Sequence, residues 1–269
     1  MISNFKRALA ALTACLGLAL PAAATTYSAT DYTDLWGTVS PNLENGWGVN
    51  LIQQNDTIFA TLFVYGTDNS ARWYSASNLT SSNGGTSWTG GLAQTTGPYF
   101  GAAWSANATA TTVGTMTINF SDPNNGTLTY VVNGVQVNKN IQRFTLRANN
   151  LTGNYLGGLT ARCTNNQLVF IFDTLTVTHN STNISMRVDF YNSSGTPSQC
   201  TFSGTYGQQG RLASVSGQYF CTFGSNGGNQ GNFSINNLEA SQNGFSGKFT
   251  GTDQFCTMSG QFGGVKDVF

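Results

Sequence analysis

Charge is what this chain has least of. Only 8% of its 269 residues are Asp, Glu, Lys or Arg, the two signs balance, and there is a single histidine. Without a cationic excess no surface offers a footprint for phosphate backbones, which excludes a nucleic-acid partner. One histidine cannot build a zinc triad, and neither a D-x-D-x-D-G calcium loop nor a G-x-S-x-G nucleophile elbow occurs. No metal, cofactor or catalytic residue is therefore read from the sequence. Long apolar runs are equally scarce. Beyond the first thirty residues nothing approaches the roughly 20 consecutive apolar residues of a membrane-spanning helix, so no transmembrane segment is expected. No segment carries a 3.6-residue apolar period either, so helix should be rare. Aromatic residues, in contrast, make up 12% of the chain, more than a disordered protein would hold.

The first residues read as an export signal. Lys6 and Arg7 precede an apolar run from Ala8 to Leu20, and Pro21-Ala22-Ala23-Ala24 supplies the small residues of a cleavage site, giving a signal peptide over 1–24. Leu12-Thr13-Ala14-Cys15 also resembles a bacterial lipoprotein box, the alternative being a lipid on Cys15. Cleavage near Ala24 leaves four cysteines, an even number that suits two disulfides in a periplasmic or secreted protein.

The remainder of the chain is a succession of short alternating segments broken by Gly, Asn, Asp and Ser. Thr57 to Tyr65 and Arg72 to Tyr74 read as strands, as do Val113 to Ser121, Thr127 to Val132 and Val135 to Phe144. The Asn133-Gly134 pair between two such runs marks a tight hairpin, since both turn residues must take positive φ. With segments near Leu35, Trp88 and Tyr99 the first half reaches eight or nine strands. Arg147-Ala148-Asn149-Asn150 interrupts the pattern, and about eight more strands come after it. The expected fold is all-β, two antiparallel up-and-down barrel-like domains over 30–147 and 151–269.

In the second half a hydroxyl residue, Gly, any residue and Tyr or Phe recur, as in Ser203-Gly204-Thr205-Tyr206, Ser216-Gly217-Gln218-Tyr219, Ser246-Gly247-Lys248-Phe249 and Ser259-Gly260-Gln261-Phe262. Glycine within a strand allows a sharp bend, and the aromatic two residues on shares its face. The equal spacing of the two pairs predicts a duplicated hairpin.

Four cysteines allow three pairings. A closed barrel selects Cys200 with Cys221, opposed on a hairpin turning at Gly210-Arg211, and Cys163 with Cys256, at the seam between first and last strands. The alternative is Cys163 with Cys200 and Cys221 with Cys256.

Groups able to do chemistry are few. His179, in Thr178-His179-Asn180-Ser181-Thr182, reads as a solvated residue of a polar turn rather than a base. The clustered carboxylates are Asp31 with Asp34, and Glu44 near Asp56, positions that usually are only solvated. An outer-membrane barrel would need about nine to eleven alternating residues per strand, and the strands read here are mostly shorter. Asn78-Leu79-Thr80 and Asn183-Ile184-Ser185 match the glycan acceptor triplet of eukaryotic secretory proteins.

Aromatics carry the stronger signal. Trp36, Trp47, Trp73, Tyr74, Trp88, Tyr99 and Trp104 all lie in the first half, either filling a barrel or lining its mouth. Trp47, Trp73 and Tyr74 are the ligand-binding candidates, for a glycan or another amphipathic small molecule.

Trp36-Gly37, Glu44-Asn45-Gly46-Trp47-Gly48, Phe59-Ala60, Phe63-Val64-Tyr65, Arg72-Trp73-Tyr74, Thr96-Gly97-Pro98 and Val132-Asn133-Gly134-Val135 together resemble a β-module of exported proteins in Gram-negative bacteria. That module reads Glu-Ser-Gly-Trp-Gly where this chain has Asn45 in place of the serine. The resemblance spans roughly residues 32 to 145, and the second half is similar to cysteine-stapled companion domains. It implies export and a β-fold and brings no catalytic residues. The expected function is a non-catalytic binding module of the bacterial envelope or secretome. The alternatives are a structural or adhesive surface protein and an Asp/Glu-dependent hydrolase, and no motif sets the oligomeric state.

Overall fold

The structure is a computed structural model that describes residues 30–40, 43–81, 85–104, 107–224 and 226–267, with Asn226 and Gly227 described by backbone alone. The expected export signal, Cys15 included, lies outside these residues. Two closed antiparallel barrels of eight strands each account for the sheet, and no helix occurs among the described residues.

Barrel one comprises β1 (Asp34–Thr38), β2 (Gly48–Gln54), β3 (Thr57–Tyr65), β4 (Ala71–Ser81), β5 (Ser87–Thr96), β6 (Thr109–Phe120), β7 (Asn125–Val132) and β8 (Val135–Arg143). Each strand pairs with the next in sequence, and β8 returns to β1 through Trp36↔Arg143, Gly37↔Gln142 and Thr38↔Ile141. Strand alternation decides what points inward: Ile58, Ala60 and Leu62 of β3 are buried, while Phe59 and Phe63 face out. A barrel of about eight strands has an interior that side chains can fill. Here Trp36, Leu51, Leu62, Leu79, Trp88, Met116 and Ile118 fill it. The buried indoles donate to carbonyls, Trp36 to Tyr32 O at 2.9 Å and Trp88 to Gly85 O at 3.0 Å, so neither N–H is orphaned. The Asn133-Gly134 hairpin is as read, with φ of 49° and 84°. The possible ninth strand near Tyr99 does not form: Tyr99 lies in the connection between β5 and β6.

Barrel two comprises β9 (Gly153–Cys163), β10 (Leu168–Asn180), β11 (Asn183–Tyr191), β12 (Pro197–Gln209), β13 (Leu212–Phe223), β14 (Asn226–Ser241), β15 (Gly244–Asp253) and β16 (Thr257–Lys266), closed by β16 against β9. Its strands run from 9 to 16 residues, longer than the sequence pattern implied. Inside, Phe202 meets Phe233, Phe249 and Phe262 edge-on at centroid distances of 5.4, 5.9 and 5.0 Å. The disulfides are Cys163–Cys256 at the seam and Cys200–Cys221 on opposed positions of β12 and β13, with Cα separations of 5.6 and 4.0 Å. They place the chain in an oxidising, non-cytoplasmic compartment.

The Gly-x-aromatic motif works as expected in one respect and differs in another. Tyr206, Tyr219, Phe249 and Phe262 all point inward beside their glycines. The pairing, however, is not duplicated: Gly204 opposes Gly217 in β12–β13, whereas in β15–β16 each glycine opposes the other strand's phenylalanine, Gly247↔Phe262 and Phe249↔Gly260. Equal spacing along the chain sets the face and not the register.

The barrels meet through the β12–β13 hairpin tip. Gly210, at φ 63°, leads a two-residue turn that sets the tip against Asp34 and Arg143, leaving no room for a Cβ. The Gly210 N–H donates to Thr145 Oγ1 at 2.7 Å and the Arg211 N–H to Asp34 Oδ2 at 2.8 Å. The Arg211 guanidinium donates to Thr33 O and Asp31 Oδ2 and pairs with Glu239. Asp31 and Asp34, a carboxylate pair in the sequence, are thus anchors of the joint, and Glu44 and Asp56 sit at opposite ends of β2.

Candidate functional site

Up-and-down topology gives barrel one two unlike ends. The β2–β3, β4–β5 and β6–β7 turns and the exit of β8 share the end that faces barrel two. The β1–β2, β3–β4, β5–β6 and β7–β8 connections share the other. At the first end Tyr32 stacks on Phe120 at 3.6 Å and Arg143 lies over Trp36, so described side chains plug the interior. The free end is where the remaining aromatics collect.

The β1–β8 ladder stops at Thr38 and Ile141. Beyond it Lys139, in the inward phase of β8, is met not by β1 but by the returning β1–β2 loop. Glu44 at φ 58° and Gly46 at φ 94° turn that loop back on itself, and Gly46 lies directly under the Tyr65 hydroxyl, where any Cβ would collide. The turn delivers a half-buried Trp47 onto the core. Glu44 holds the arrangement: its carboxylate accepts from Lys139 Nζ at 2.7 Å and from Trp47 Nε1 at 3.2 Å, while the ammonium sits 5.5 Å from the indole centroid. The Lys139 hydrogen bond, foremost, holds the Glu44 carboxyl below its usual range, so it stays ionised.

Tyr74 of β4 and Tyr130 of β7 point inward at this end and are only 8% and 9% exposed. Neither hydroxyl makes a hydrogen bond to any described residue, and neither oxygen is sealed from solvent. Burial, with the neighbouring charge of Glu44 and then Tyr74, pushes the Tyr130 phenol above its ordinary value and keeps it a donor. Two phenols, a half-covered indole and a neutralised ammonium–carboxylate pair thus gather at one end of barrel one, a set suited to hydroxyl-bearing rings.

Of the three candidates from sequence, Trp47 and Tyr74 come together here. Trp73 does not, because adjacent residues of a strand face opposite ways: it stands on the outer wall, 52% exposed, opposite Phe63. Tyr130 and Lys139 were missed; their inward phase on strands flanking Asn133-Gly134 is the signal that could have found them.

His179 is corrected. It is buried in β10, following the inward phase of Leu175 and Val177, and packs against Tyr206 at 4.3 Å. Its Nδ1 accepts from the Leu151 N–H at 3.2 Å, so the proton resides on Nε2, which donates to Ser181 O at 3.0 Å. Both nitrogens are occupied, in a structural role. A groove of about 590 Å3 on the outer wall of barrel two runs past Phe172, Leu156 and Val265, but its polar rim, including Thr160, Ser246 and Gln261, is fully exposed. It offers nothing comparable to the unpartnered phenols.

Comparison with protein families, with characterised proteins and with solved structures finds no match to this chain.

Proposed function

We propose that the protein is an exported, non-catalytic binding module that takes a neutral sugar, or a similarly amphipathic small ligand, at the free mouth of barrel one. The observation that carries this reading is the pair of hydroxyls of Tyr74 and Tyr130, which have no hydrogen-bond partner among the described residues although the two residues are about nine-tenths buried, at the barrel end where Trp47 packs on the core. Phenols left without protein acceptors are poised for a ligand, and an indole beside them offers a flat surface for the apolar face of a pyranose. Binding rather than catalysis is favoured because the carboxylate at the mouth is engaged by Lys139 and Trp47.

The test is titration calorimetry with gluco-, xylo- and chito-oligosaccharides. Replacing Tyr74→Phe and Tyr130→Phe together removes two hydroxyls that hold nothing in the free protein, so thermal stability should be unchanged. Two ligand hydrogen bonds lost should weaken binding about tenfold or more. A double variant that unfolds, or a wild-type protein that binds none of these sugars saturably, refutes the reading.

A further inference from the structure

The mouth leaves a larger feature of the free end unexplained. In or directly beside every connection at that end a large apolar side chain stands in solvent. Leu43 of the β1–β2 loop is 62% exposed, Tyr65 beside the β3–β4 hairpin 55%, and Val135 at the β7–β8 hairpin 65%. The β5–β6 connection, twelve residues between Thr96 and Thr109, carries Tyr99, Phe100 and Trp104 at 69%, 89% and 70%. Connections of this length are uncommon and tend to be functional. Exposed apolar residues scattered singly need no explanation, but a ring of them on four loops around one barrel end does.

We propose that this rim docks the protein on a lipid surface, the loop tips entering the interfacial layer with the barrel axis steeply inclined to it. Three features favour lipid over a rigid partner. The side chains sit on four separate loops rather than along one groove, so they match a broad, yielding surface. They are Trp, Tyr, Phe, Leu and Val, the residues that partition to the boundary between headgroup and acyl chain. Charges at this end are neutralised within the protein, Lys139 by Glu44 at 2.7 Å and Arg72 by Asp68 at 2.9 Å, so docking needs no anionic lipid and meets no strong repulsion from one. The opposite end is occupied by barrel two, which leaves this end free to approach a plane. Surface docking is distinct from spanning: the barrel interiors are apolar, and although Phe59, Phe63 and Trp73 face out on β3 and β4, the outer wall of β5–β7 carries Thr89, Thr117 and Thr129, so no continuous apolar band encircles barrel one.

Co-sedimentation with phosphatidylcholine vesicles tests the proposal. The wild-type protein should pellet with vesicles, to nearly the same extent when one fifth of the lipid is phosphatidylglycerol. Phe100→Ser with Trp104→Ser should lower the partition coefficient at least about tenfold, as expected from withdrawing two buried aromatics. Phe170→Ser with Phe172→Ser on the wall of barrel two, residues 65% and 42% exposed, is the matched control and should change nothing. Because all four positions are exposed, none of these changes endangers folding. Failure of the wild-type protein to pellet, or equal loss in the control, overturns the proposal. So does a concentration-dependent dimer that the rim variant abolishes, since a second copy would then be what covers the rim. Sugar binding at the mouth is untouched by either outcome.

Discussion

Replacing Arg143→Met should destabilise barrel one by about 3 to 5 kcal/mol, the usual cost of breaking a buried charged network from one side. The guanidinium is wholly buried at the last position of β8. Its donors reach Pro123 O at 2.7 Å, Thr33 O at 3.0 Å, Asp31 O at 2.6 Å and Asp34 Oδ2 at 3.1 Å, and its plane lies 4.9 Å from the Trp36 centroid. Burial pulls the Arg143 charge below its ordinary stability and the Asp34 hydrogen bond opposes that pull, so the net gain comes from geometry. Three carbonyls from two separate segments converge on one planar fork, and each would be left unsatisfied by a thioether. Methionine matches the bulk, which separates lost hydrogen bonds from a lost volume. Arg143→Lys should be nearly as damaging, because a single ammonium cannot reach four acceptors spread around a plane. For a chain of this size the loss corresponds to roughly 6 to 20 °C in Tm. Thermal melts followed by tryptophan emission report it, since Trp36 loses its cation. A loss under about 1 kcal/mol would refute the reasoning and class the contact with exposed ion pairs.

The disulfides should rank by the loop each closes. Reducing or replacing Cys163–Cys256, 93 residues apart, should cost about 4 to 5 kcal/mol, and Cys200–Cys221, 21 apart, about 3, read from denaturant midpoints; the opposite order would show that chain entropy does not govern them. Alkaline conditions should loosen barrel two. Burial and then the Asp253 carboxylate raise the Tyr219 phenol well above its ordinary value, so the unfolded chain ionises first and stability falls as pH rises past the usual tyrosine range. Tyr219→Phe should flatten that limb, and an unchanged limb would remove Tyr219 as its source. At the mouth the sign is opposite: the lowered Glu44 carboxyl keeps the Lys139 and Trp47 contacts above the ordinary carboxylate range, and Trp47 emission should shift only as pH falls through the lowered value. Glu44→Gln should abolish that acid transition. Gly134→Ala has open space but a φ of 84°, and should cost about 1 to 2 kcal/mol through conformation alone.

Much of the fold was legible because local patterns and global closure agree. The Asn133-Gly134 turn, the inward phase of Ile58, Ala60 and Leu62, and the hairpin midpoint at Gly210 are local signals. Once the strands were placed, closure alone brought Cys163 beside Cys256. His179 misled because its neighbours are polar, yet the two-residue phase of Leu175 and Val177 runs straight into it. Composition described the segment, and phase described the residue. Other features were out of reach. Asp31 and Asp34 meet Arg211 some 180 residues away, across a contact between barrels that no local pattern encodes. Glu44 meets Lys139 only because β1 ends early at Thr38 and leaves β8 uncovered, a matter of barrel stagger rather than of sequence spacing.

The same stagger explains why the aromatics divide as they do. An even number of antiparallel strands joined by short connections has two ends, and here each is built for a different neighbour. Trp36 and Trp88 sit toward the end where barrel two docks, and there every indole N–H is matched to a carbonyl and the chain's buried arginine seals the gap. Such an end must be finished within the protein, because a protein partner covers it permanently. At the free end Tyr74 and Tyr130 are left without acceptors and Tyr99, Phe100 and Trp104 without cover. Packing requirements alone would have favoured phenylalanine inside and polar residues on the loops. Departure from that preference inside the barrel as well as on its loops, rather than aromatic content, is what the proposed contacts at this end rest on.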